Sequence, residues 1–119
     1  MKILLVESDK ALAQAIKAAF RDRGYTTVWV EDAKSTLHTF GKILPYFDLF
    51  VIDERGLCQE LRARAPESPI ILMSNPDDEE FATKCAVAES DAVCTKTVSP
   101  DYLLGLIETM VGPKLAFAN

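Results

Sequence analysis

Four polar side chains stand at the ends of four short apolar runs, and together they could accept or hold an oxyanion. Glu7 follows Ile3-Leu4-Leu5-Val6, and Asp53 follows Leu49-Phe50-Val51-Ile52. Ser74 follows Ile70-Ile71-Leu72-Met73, and Lys96 closely follows Ala92-Val93-Cys94. An ionised carboxylate can attack phosphorus when a nearby cation neutralises the charge of the group being transferred. Lysine supplies that charge as a point cation, and a serine hydroxyl can donate to an oxygen of the transferred group. Paired carboxylates are also the hard oxygen donors that magnesium prefers.

These residues act together only if the chain brings the run ends to one place. Buried parallel strands read as uninterrupted apolar runs, and open α/β sheets bind ligands beyond the carboxyl ends of their strands. The intervening segments carry helical spacing. Leu12, Ala15, Ile16, Ala19 and Phe20 form a core-facing stripe, with Ser8 or Asp9 as its cap and Gly24 at its stop. Tyr25–Val30 reads as the second strand. Ala33, Leu37, Phe40 and Leu44 make a second helical stripe ended by Pro45, and Leu57, Cys58 and Leu61 open a short third helix. A fourth helix is predicted over 77–89, with acids at its start. Ser99-Pro100-Asp101 opens the last one, whose stripe is Leu103, Leu106, Ile107, Met110 and Val111. Five β–α units in strict alternation imply a parallel sheet covered by helices on both faces.

At 119 residues, 49% of them apolar and 26% charged, the chain has the composition of one globular domain. Residues 1–112 are assigned to that domain, and 113–119 to a tail or the start of a linker. No apolar run is long enough to span a membrane, and Met1-Lys2 leads straight into a strand. Cys58, Cys85 and Cys94 are odd in number and lack metal-type spacing, which suits buried thiols in a reducing cytoplasm. The net charge of −5 falls wholly after residue 74, where arginine is absent and acids dominate. Such a surface argues against nucleic acid as the partner of this domain. Lone His38 sits among polar neighbours, and no Ser–His or Cys–His pair or glycine-rich phosphate loop is visible, so an unrelated small enzyme finds no support.

The same motifs give the chain a family likeness. Ile3-Leu4-Leu5-Val6-Glu7, Asp48-Leu49-Phe50-Val51-Ile52-Asp53, Ile70-Ile71-Leu72-Met73-Ser74, and Lys96 followed by Ser99-Pro100-Asp101 resemble the receiver domain of bacterial response regulators over essentially the full length. The resemblance implies a flavodoxin-like three-layer α/β sandwich with a five-stranded parallel sheet. It implies Asp53 as the phospho-acceptor served by a histidine kinase, Lys96 as the partner of the phosphoryl oxygens, and Ser74 as the hydroxyl that moves to bond them. Glu7 matches the first of two adjacent acids that hold magnesium together with the acceptor. Partners would be a kinase or a downstream effector, including a fused output domain.

Departures from the family pattern shape the expected function. The second acid falls at Ser8, and Asp9 lies about 100° further round a starting helix. Glu7, Asp53 and Lys96 sum to −1 where the family would have −2, a loss on the order of several kcal/mol beside a divalent ion. The loop after Asp53 is shortened to Glu54-Arg55-Gly56 before the third helix. Arg55 therefore stands where the family supplies a metal-binding carbonyl, and its guanidinium is a candidate substitute for the metal. The aromatic three residues before the lysine is Val93, and the proline after it is Thr97. We therefore expect an atypical receiver, a pseudo-receiver that serves as a protein-interaction module with weak or absent Mg2+-dependent phosphorylation. The alternative is a working receiver phosphorylated on Asp53. A monomer or weak dimer is expected, because the charge-paired dimer face of many receivers needs arginines that are missing after Arg64. Trp29 is assigned to packing.

Overall fold

The computed structural model describes residues 1–75 and 90–112. The helix expected over 77–89 and the tail 113–119 lie outside the described residues. Five parallel strands, β1 (Lys2–Val6), β2 (Thr26–Val30), β3 (Leu49–Ile52), β4 (Ile70–Ser74) and β5 (Ala92–Thr95), pair in the order β2-β1-β3-β4-β5. Four helices are described, α1 (Lys10–Asp22), α2 (Ala33–Phe40), α3 (Leu57–Arg64) and α4 (Pro100–Val111), with a 3-10 turn at Leu44–Tyr46. The sheet is buried on both sides, and its residues alternate strictly between two cores. Ile3, Leu5, Leu49, Val51, Ile71 and Met73 pack with α1 and α4. Leu4, Val6, Phe50, Ile52, Ile70 and Leu72 pack with α2 and α3. That two-sided burial explains why the strands read as continuous apolar runs.

Local signals act where the sequence places them. Gly24 turns the chain after α1 with φ of 79°, a conformation that favours glycine. Asp9 accepts from the Leu12 amide and Ser99 from the Tyr102 amide, so each caps its helix. Two details differ from the spacing. In α1 the buried alanine is Ala13, while Ala15 is exposed; Ala13 lies three residues before Ile16 and seven before Phe20, so these three share one helical face. The second helical stripe breaks at Phe40, and Leu44 reaches the core from the separate 3-10 turn, with Pro45 inside it. Proline lacks the N–H that a continued α-helix would need.

Candidate functional site

Sheet register carries the polar residues to one edge. Val6 of β1 lies opposite Ile52 of β3, so Glu7 and Asp53 leave the sheet side by side. Ser74 pairs with Thr95, and the Ser74 carbonyl accepts from the Lys96 amide at 2.8 Å. Lys96 then reaches back across the strand ends. Its Nζ lies 2.8 Å from Glu7 Oε2 and 3.0 Å from Asp53 Oδ2, bridging the two carboxylates. Both acids are sealed, with side-chain exposures of 0% for Glu7 and 4% for Asp53.

Asp53 Oδ2 is the hub. Besides Lys96 it accepts from the Ser8 amide and the Ser8 hydroxyl, each at 3.0 Å. Glu7 Oε2 accepts from the Asp9 amide at 2.9 Å as well as from Lys96. Burial pushes the Glu7 carboxyl above the ordinary glutamate range, opposed by the Asp9 amide and Lys96. Burial also acts to raise Asp53, but the Ser8 amide, Lys96 and Glu7 outweigh it and hold Asp53 below its usual range. Desolvation tends to lower Lys96, and the two carboxylates more than compensate, so the ammonium is held charged.

The sequence-predicted residues divide. Glu7, Asp53 and Lys96 meet directly, and Ser74 is buried at the adjacent end of β4. Arg55 is exposed and forms no ion pair with Glu7 or Asp53; the neutralising cation is Lys96. Ser8 joins the site as a donor, and capping of α1 falls to Asp9 alone. Trp29 packs against the α1-side core as assigned, but its contact with the site was not read from the sequence. Its Nε1 donates to the Glu7 carbonyl at 2.9 Å, and Lys17 Nζ lies 5.9 Å from its ring centroid. Nothing in the spacing signalled this contact, because it depends on how far β2 extends beside β1.

The family's magnesium site can be tested against these atoms. Glu7 Oε1 and Asp53 Oδ1 are buried and lack a hydrogen-bond partner, so two carboxylate oxygens remain for a cation. The third donor is compromised: the Arg55 carbonyl accepts from the Cys58 amide at 3.0 Å as α3 begins. Among the described residues no cluster of three or more acidic, imidazole or thiol groups is placed to hold a metal. Magnesium demands an octahedral shell with several waters, and both remaining oxygens are sealed from solvent. By this count the residues do not fit the ion.

The family model for the response regulator receiver domain matches residues 3–108. The chain belongs to that family. The receiver is thus a module of two-component signalling. Among curated proteins it is 27% identical over 117 residues to the cell cycle transcriptional regulator CtrA of Caulobacter vibrioides, covering 93% of this chain and 50% of that protein. The receiver therefore spans about half the length of the curated relatives it matches. In fold it is similar to a CheY-like receiver domain protein from Methanospirillum hungatei, with TM-score 0.80, 22% identity and coverage of 92% and 91% of the two chains. It is equally similar to the receiver domain of the sensor histidine kinase PA1611 from Pseudomonas aeruginosa, with TM-score 0.80, 22% identity and coverage of 93% and 97%. That structure has a magnesium ion coordinated in its active-site cleft.

Proposed function

We propose that this domain is an atypical receiver that works as a protein-interaction module, with Mg2+-dependent phosphorylation of Asp53 weak or absent. The observation that carries the reading is the closure of Asp53 Oδ2 by Ser8 and Lys96, where the family pattern has a second acid and a cation. Ser8 donates two hydrogen bonds to the carboxylate instead of adding a negative charge. Its partners are proteins of the relay, a kinase or an effector, including an output domain fused to the same chain. The domain acts in the cytoplasm, as a monomer or weak dimer, and performs no turnover of its own. Sedimentation at moderate salt is expected to give a monomer at micromolar concentration; a tight dimer contradicts this part of the reading.

The direct test adds millimolar magnesium with beryllium fluoride or a small phosphodonor and records amide NMR shifts. No saturable change at Asp53, Ser74 or Lys96 is expected. Ser8→Asp supplies the missing acid, and this variant should gain Mg2+-dependent thermal stabilisation that the wild type lacks. Saturable wild-type shifts centred on Asp53 would favour the second reading, a receiver phosphorylated on Asp53. That alternative is supported by the unpartnered Glu7 Oε1 and Asp53 Oδ1.

A further inference from the structure

The face between α1 and β2 holds a cavity of about 310 Å³ that shares no residue with the Asp53 site. One wall is Gln14, Lys17, Ala18 and Arg21, spaced three and four residues apart along a single face of α1; the other is Tyr25 and Thr27 at the sheet edge. The chain carries 18 acids against 13 bases, yet among the described residues no acid lines this cavity. Every polar side chain in it can donate a hydrogen bond, and two of them are cations.

Two hydroxyls belong to this wall, and that of Thr27 is unsatisfied among the described residues. Tyr25 and Trp29 both pack in the core on the α1 side of the sheet, so Thr27 between them faces α1 too. Thr27 Oγ1 is buried with no hydrogen-bond partner among the described residues, and Tyr25, only 5% exposed, has its hydroxyl beside Arg23. A buried hydroxyl left unpaired costs about 1–3 kcal/mol, a penalty that an acceptor-rich ligand would relieve. Arg23 is engaged with Glu108 on α4 and also acts on the Tyr25 hydroxyl.

We propose that the cavity binds a small phosphate compound, inorganic phosphate or a phosphate monoester. Lys17 and Arg21 supply charge, and Gln14, Thr27 and Tyr25 donate to its oxygens. A phosphoryl group offers three strong acceptors and close to two negative charges, which matches several donors around one space better than a single carboxylate would. Arginine can engage two of its oxygens at once. The volume is at the low end of small-molecule sites, which run from about 300 Å³ upward, so any organic part is small. Occupancy has a built-in reporter. Lys17 stands over the Trp29 ring, and pairing with an anion draws its ammonium off the indole.

The full chain is titrated with inorganic phosphate and with glycerol 3-phosphate, against potassium chloride at matched ionic strength. Trp29 fluorescence and amide NMR shifts are followed. We expect saturable changes at Gln14, Lys17 and Thr27 with the phosphate compounds alone. Arg21→Ala, at an exposed position, should raise the half-saturation concentration at least tenfold, and Thr27→Val several-fold. Asp53→Asn should leave it unchanged, which separates this site from chemistry at the acceptor. Tighter binding of the ester assigns an organic phosphate, and equal binding assigns inorganic phosphate. A linear response matching chloride overturns the proposal, as does saturation indifferent to Arg21→Ala or abolished by Asp53→Asn.

Discussion

Glu7 and Asp53 leave the sheet side by side, yet their environments push them in opposite directions. Burial raises Glu7, so its ionisation costs the folded state as pH rises above the ordinary glutamate range. Asp53 is held low, so its contribution is complete above the ordinary aspartate range and is lost as pH falls through and below it. Urea unfolding across pH should therefore show stability increasing slightly as pH drops from neutral, then declining as pH falls through and below the ordinary aspartate range. Glu7→Gln should remove the first limb and Asp53→Asn the second. If neither variant changed the profile, the charge arrangement around Lys96 would have to be abandoned. That Glu7, Asp53 and Lys96 would meet was legible from their places after apolar runs. The roles of Ser8 and Trp29 were not, because each contacts a group far away in sequence, and no periodic signal encodes such a pair.

At the scale of elements, caps and punctuation were the most readable features. Ser99 and Pro100 start α4 as their types require, and Gly24 ends the first β–α unit with a positive φ. Ser99→Ala should cost about 1 kcal/mol, the usual loss for an N-cap hydroxyl, visible as a lower urea midpoint with an unchanged slope. The spacing was less reliable where tertiary contact decides. Leu44 kept its place in the core but not its helix. In α1 the inward alanine is Ala13, on the face of Ile16 and Phe20, while Ala15 lies about 200° round the helix from it. The shortened loop after Asp53 was read correctly from its length. Its consequence, an Arg55 carbonyl committed to starting α3, required the backbone trace.

At the scale of the molecule, the sheet divides the interior formed by the described residues into two cores, one on each of its faces. Leu5 belongs to one and Phe50 to the other, and both are fully buried. Leu5→Ala should cost about 2–5 kcal/mol and Phe50→Ala about 3–5 kcal/mol. The two side chains face opposite layers but sit on paired strands one register step apart, so the difference between the double variant's loss and the sum of the single losses measures coupling through the backbone. A pronounced excess would reveal coupling through the strands. The alternation that builds these layers is also why the fold could be read from sequence at all: five apolar runs, each followed by a helical stripe, admit few other arrangements.

The strand order leaves Thr26-Thr27-Val28-Trp29-Val30 at the sheet's rim, a five-residue stretch without charge or proline. Proteins ordinarily guard such margins with lysine or proline against stacking with other chains. Concentrated solutions of this domain should therefore scatter light sooner than its net charge of −5 suggests, and Thr26→Lys, at an exposed position, should delay the onset. If that onset is seen, the unguarded margin sets a practical ceiling on storage concentration.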